Sequence, residues 1–314
     1  MGFTGLARWV NAPTTGMELV TTNIVRNHHG TWQGPWLLSI RSYRSTLASI
    51  PGVQIHAERT MCALTMNDNV FVLLEDPSAP TSTETLAQAA AAAAAHPDSH
   101  SFVGPSHHRS TFLTLRPPGA LEQLLAQLRA RWLSVRQSSA AAPHRNQNQA
   151  SQLTVDGNCF KIGKDWLVRI GTVTLAGGSP KGMLLEAEYL PLPVLHSKTP
   201  DGTSELLSGL LTTILPNIRD AKTVAVTISD EQWEEALWDR EEEEMAAARE
   251  RKAKERQDNT GPDNAKNEPP ADDDIYMDGE ADIPVQEKGD WIGVERDRRS
   301  AFLIIGALRS EGIL

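Results

Sequence analysis

Two carboxylates one residue apart, Glu186 and Glu188 in LLEAEYLP, follow a glycine-rich loop, AGGSPKG, that carries Lys181. Phosphate-binding and divalent-metal chemistry are built from such parts. As a phosphate cradle the loop fails on its own residues. Gly177 and Gly182 have the separation of the glycines in GxxxxGK[ST], but Met183 and Leu184 stand where Lys and Ser or Thr are needed, and Lys181 precedes its glycine. The next residues, MLLEAEYL, read as a strand, so no helix N-terminus is offered to an anion. AGGSPK is expected to be a hairpin loop, in which Gly supplies positive φ and Pro180 fixes a turn residue.

On that strand Glu186 and Glu188 share one face, because side chains alternate with period two. Inside a barrel, such a pair can hold a divalent metal. The arrangement resembles the ExExK strand of triphosphate-tunnel hydrolases, which makes metal-dependent triphosphate hydrolysis by Glu186 and Glu188 the alternative function. Three departures weigh against it. Leu190 occupies the lysine position, no second ExE strand is present, and the strands supply few Lys or Arg for a polyphosphate. A plainer expectation is a cross-strand ion pair. If Leu175 faces Gly182, Arg169 lies opposite Glu188, a contact worth about 0.2–1 kcal/mol.

The histidines form no ligand set at a familiar spacing. His28 and His29 follow a helix, His107 and His108 sit in a loop, and His96 and His100 flank PDS. No GxSxG serine or Cys–His pairing marks a nucleophile. No residue is therefore assigned to catalysis, to a cofactor or to a metal, and no cofactor is expected. The chain has 8 Trp against 3 Tyr. Trp132 and Trp166 are expected to be core anchors, and Trp291 marks where order resumes near the C-terminal segment.

The elements that must position these residues alternate with segments unable to pack. The two cysteines, Cys62 and Cys159, cannot make a disulfide framework and fit a reducing compartment. No leader or membrane span is evident, so a soluble intracellular chain is expected. Charge is divided unevenly. Residues 1–229 carry 18 Lys and Arg against 15 Asp and Glu, whereas residues 230–314 carry 12 against 25. The near-neutral body lacks the basic stripe of a duplex reader, which argues against direct sequence-specific DNA binding.

Three interruptions stand out: an alanine-rich stretch at about 76–106, a polar linker at 138–151, and residues 240–290. The last begins as a charged helix and continues too acidic and Pro-rich to pack a core. The body is expected to span 1–239, with 291–314 returning as a helix to complete the same domain. Between the interruptions, helical periodicity is found around Met17, Leu19, Val20 and Ile24. It recurs on Leu121, Leu124, Leu125, Leu128 and Trp132, in SELLSGLLTTILPNI, and at Phe302, Leu303, Ile305, Ala307 and Leu308. Strands are expected in PWLLSIRSY, around an Asn67-Asp68-Asn69 turn, in STFLTLRP, in NCFKIGKDWLVRIGTVTL, in the Glu186 strand and in AKTVAVTI. The fold class that follows is α+β: an incomplete antiparallel β-barrel built from hairpins and flanked by amphipathic helices.

TGLARW, NAPTTGMELVTTNI and GPWLLSIRSYR, together with DWLVRIGTVTLAGGSPKGMLLEAEYLP, resemble the signatures of the Mediator complex subunit 20 family. The alanine run and the acidic segment fall outside the resemblance. It implies a non-enzymatic, nuclear subunit of the Mediator coactivator, in the head module. Such a subunit pairs with Mediator subunit 18, is tethered by a helix of subunit 8, and is linked to the TATA-binding protein and RNA polymerase II preinitiation assembly. It implies no catalytic residues.

Overall fold

The computed structural model describes residues 4–10, 12–46, 58–95, 104–127, 132–135, 152–175, 178–190, 205–215, 223–226 and 294–314. The expected 138–151 linker, the 240–290 segment, Leu128, His96, His100 and Trp291 lie outside them. The chain divides into a unit of residues 1–236 and 289–314, which holds all the described elements, and a second unit of 237–288.

Runs of alternating and β-branched apolar residues become ten strands: β1 Thr4–Trp9, β2 Thr31–Ser45, β3 Thr60–Met66, β4 Asn69–Glu75, β5 Ser110–Leu115, β6 Trp132–Ser134, β7 Gln152–Ile162, β8 Trp166–Leu175, β9 Ser179–Tyr189 and β10 Thr223–Val226. Five helices are described: α1 Gly16–Asn27, α2 Ser82–Ala95, α3 Ala120–Gln127, α4 Glu205–Ile214 and α5 Val294–Ser310. All pairings are antiparallel, in the order β10-β1-β9-β8-β7-β2-β3-β4-β5, with β6 also on β2. β10 and β5 do not pair, so the barrel stays open, as expected for the fold class.

The inner face wraps around α5. Leu6, Leu38, Ile40, Leu64, Phe71, Val155, Val173 and Leu184 pack there against Ala301, Leu303, Ile304, Ile305 and Leu308. On the outer face, α1 and α4 cover β1, β9 and β8 through Val20, Ile24, Leu207 and Leu211 over Trp9, Met183, Leu185 and Val168. Leu121 of α3 covers Met61, Ala63, Val70 and Val72. Leu19, expected on the α1 core stripe, is exposed, as is Leu37 on the outer face of β2.

The Asn67-Asp68 turn closes β3 onto β4, with Met66 opposite Asn69 and Asn67 at φ 54°. A short Asx side chain tolerates that left-handed backbone. Two expectations are corrected. The helix predicted to run through Trp132 is described over Ala120–Gln127 and does not include Trp132, and Leu124 is exposed. Trp132 opens β6 opposite Ser45, half-buried. Beyond Arg41↔Gln152, the last described β2–β7 pair, the edge of β2 at Tyr43–Ser45 is taken by Trp132–Ser134. Filling that edge wins over continuing the helix.

The second correction concerns the glycine loop. Leu175 faces Ser179, not Gly182, because β9 begins at Ser179 and the turn is tighter than the sequence suggests. A bulge follows, in which Lys181 and Gly182 share the space opposite Val173. Gly182 sits at φ +103°, and a Cβ there would lie 2.2 Å from the Trp9 carbonyl oxygen. That glycine serves the close approach of β1 rather than an anion.

Candidate functional site

Period-two alternation on β9 sends Met183, Leu185 and Ala187 outward and Glu186 and Glu188 inward. The sequence expectation that the two carboxylates share a face is met, but that face is the dry one: Glu186 is 1% and Glu188 4% exposed. With the bulge, Arg169 stands opposite Glu186 and not Glu188. Its Nη1 donates to Glu186 Oε1 at 2.9 Å.

The remaining partners come from α5, which sequence reasoning missed. Ser300 Oγ donates to Glu186 Oε2 at 2.6 Å. Arg296 Nε and Arg299 Nη2 donate to Glu188 Oε1 at 3.0 and 2.7 Å. Asp297 lies 3.7 Å from Arg169 Nη2 and accepts from Asn67 Nδ2 at 2.7 Å. The α5 residues fall at i, i+1, i+3 and i+4, one face of a helix turn, so a single turn meets both carboxylates. RDRRS was the available signal, but nothing local ties it to a strand more than 100 residues earlier.

Further along α5, Arg309 Nη1 lies 2.5 Å from Glu75 Oε1. Arg8, fully buried on β1, pairs with Glu311 and also donates to the Lys181 carbonyl at 2.8 Å. Arg298 Nη2 donates to the Phe112 carbonyl of edge strand β5 at 3.0 Å, with its guanidinium over the Phe112 ring. The helix ends in a turn where Gly312, at φ +64°, lets Ile313 N donate back to Leu308 O.

Electrostatics follow from burial and pairing. Burial pushes the Glu188 carboxyl up, against the attraction of Arg299, Arg296 and Arg169. Burial likewise lowers Arg299, and it lowers Arg8 to about 10. For Arg169 burial also disfavours the charge, but Glu186 and Glu188 outweigh it and the pKa rises. Both oxygens of Glu186 are occupied, and one of Glu188 holds two guanidinium groups. A hard divalent cation takes six or more oxygens, and among the described residues no group of three or more His, Cys, Asp or Glu is placed to hold a metal. The donor set fits arginine, not a metal.

A second polar cluster, also missed, straps the alanine-rich stretch at its base. Asp76 is buried. Its Oδ1 accepts from the Ser78 amide and hydroxyl at 3.1 and 2.5 Å; its Oδ2 lies 2.9 Å from His107 Nε2 and 2.6 Å from Arg59 Nε. Asp76 N donates to Arg109 O, and Arg109 N to Pro80 O. Beyond this neck α2 starts with a capping box. Thr81 Oγ1 accepts from Glu84 N, and Glu84 Oε2 accepts from Thr81 N. His107, in a loop as expected, thus has a carboxylate partner in Asp76.

Burial opposes ionisation of Asp76, but the hydrogen bonds from Ser78 and His107 and the Arg59 charge prevail and bring its pKa to about 2. A depressed carboxyl contributes stability above its unfolded pKa of about 3.9 and loses it as pH falls through the folded value. Asp76→Asn should therefore cost about 2 kcal/mol at pH 7. In urea melts from pH 7 down to pH 3, the gap to wild type should narrow below pH 4.

The family model described as TATA-binding related factor (TRF) of subunit 20 of Mediator complex matches residues 1–236. No curated protein sequence matches the chain significantly. Solved structures with some likeness include the PH1819 protein from Pyrococcus horikoshii OT3, at 10% identity over 73% of this chain and 93% of that one, TM-score 0.32. Another is described as a putative adenylyl cyclase from Hippeastrum with a dominant triphosphatase activity, at 9% identity, 69% and 89% coverage, TM-score 0.30. A third, the hypothetical protein NE1496, has 7% identity, 60% and 77% coverage, and TM-score 0.24. Likeness this slight says nothing about chemistry. The family match instead spans the signature strands, the inner carboxylates and the helices that cover the sheet, and on it the chain belongs to the Mediator subunit 20 family.

Proposed function

We propose that this Mediator subunit works as a non-enzymatic scaffold in the head module, in the nucleus. It pairs with subunit 18, is tethered by a helix of subunit 8, and supports RNA polymerase II preinitiation assembly, including contact with the TATA-binding protein. The observation that favours a scaffold over a hydrolase is the commitment of Glu186 and Glu188 to Arg169, Arg296, Arg299 and Ser300. These are the carboxylates whose spacing suits metal chemistry, and they fasten a helix into the barrel.

In the same proposal, residues 1–239 and 291–314 form one domain, and 240–290 is an acidic insertion into it. Stable pairing of such barrels buries on the order of 1,200–2,000 Å2 or more. The test is co-expression with subunit 18 followed by gel filtration. Co-elution at one to one is expected, with the chain alone poorly soluble, and deletion of 240–290 should leave pairing intact. A well-behaved monomer that ignores subunit 18 counts against the proposal; loss of pairing on deletion moves the contact to the acidic segment. Incubation with Mn2+ and inorganic triphosphate should release no phosphate above buffer.

A further inference from the structure

The seating of α5 separates two kinds of bond. Its backbone hydrogen bonds are internal to the helix, and it adds no strand to the sheet. No ladder from β10 to β5 includes it. What joins α5 to the body is side chains: the apolar row from Ala301 to Leu308 and charged contacts spread along its length. In order, Glu188 takes Arg296 and Arg299, Arg169 approaches Asp297, Glu186 takes Ser300, Glu75 takes Arg309, and Arg8 takes Glu311. Body and helix are thus a groove and a ligand in one chain.

We propose that this groove accepts α5 from a second copy of the chain as well as from its own, so that two copies exchange helices and form a dimer. Two properties of the groove select that occupant. Left empty, it would expose Leu6, Leu38, Ile40, Leu64, Phe71 and Leu184 to water, all buried against the helix cluster. Filled by an unrelated helix, it would strip buried Glu188, Glu186 and Arg8 of their α5-side partners Arg296, Arg299, Ser300 and Glu311, which disfavours that occupant. An identical helix satisfies every position. Between Val226 and Val294 the sequence has 67 residues, with a contour of at most about 220–240 Å. Closure within one chain is favoured by the effective concentration that the covalent connection imposes, which falls as the connection lengthens. Monomers therefore dominate dilute solutions, and exchanged dimers accumulate in concentrated ones.

The experiment uses the full chain with a protease site inserted between residues 240 and 288. Two tagged versions are mixed, unfolded by warming, and cooled at a series of protein concentrations. Co-purification of the two tags is expected, with the dimer-to-monomer ratio rising about tenfold for each tenfold rise in concentration while dimer is the minor species. Cleavage at the inserted site should then turn every dimer into monomers that retain a bound α5 fragment, because only the two connecting segments hold exchanged copies together. A dimer that survives cleavage is face-to-face and overturns the proposal. Failure of the tags to co-purify at any concentration overturns it too. Pairing with subunit 18, assayed on the same preparation, does not depend on the result.

Discussion

A chain shortened to end at residue 293 is expected not to fold. The deleted α5 carries Leu303, Ile304, Ile305 and Leu308, all buried. At about 1.5–3 kcal/mol for each large aliphatic side chain, these four contribute about 6–12 kcal/mol of burial. A whole domain is stable by only about 5–15 kcal/mol. The deletion also strips partners from Glu188, Glu186 and Arg8, which lie in the dry interior. The expected product binds a hydrophobic dye strongly and lacks a cooperative thermal transition. A sharp transition within about 5 °C of the full chain would mean that α5 is peripheral.

The second large effect is at Arg169. Arg169→Ala leaves Glu186 facing a single neutral donor, Ser300, in a site where its side chain is 1% exposed. An uncompensated buried charge costs about 3–5 kcal/mol. The same physics predicts that removing both charges is milder. Arg169→Met combined with Glu186→Leu should recover most of that loss, because each ion has been relieved of its desolvation penalty. Urea melts of Arg169→Met, Glu186→Leu and the pair complete a double-mutant cycle. A double variant as unstable as the sum of the singles would show that the two residues do not act as a pair. The surface-type estimate for a cross-strand ion pair, about 0.2–1 kcal/mol, fails here because the face is buried.

That failure shows where the sequence stops being informative. Local chemistry was legible. Asn67-Asp68 marks a hairpin, Val20 and Ile24 mark a core stripe, and Glu186 and Glu188 share a face. The β8–β9 register was not, because a bulge at Lys181-Gly182 slips it, and Gly182 there lies against β1, a strand more than 170 residues away in sequence. Trp132 shows the same limit: its helical spacing was real, yet an unfilled edge on β2 claimed it for a strand. The inner network was the least legible part, since each of its carboxylates is read by a helix 108–114 residues further on. A strand that looks equipped for chemistry and a helix that looks merely charged explain each other only once both are placed.

The position of β1 in the sheet has a consequence for how the chain is made. Thr4–Trp9 is flanked by β9 on one side and β10 on the other. An N-terminal strand seated between two late strands finds neither neighbour until residues 179–226 have been synthesised. At about 5–20 residues per second the first strand waits roughly ten seconds or more for its partners, with Leu6 and Trp9 unburied throughout. The core dries only when α5 follows. Long-range pairing of this kind slows folding and exposes intermediates, so the body should draw on chaperones during translation more heavily than a domain of equal size closed by local hairpins.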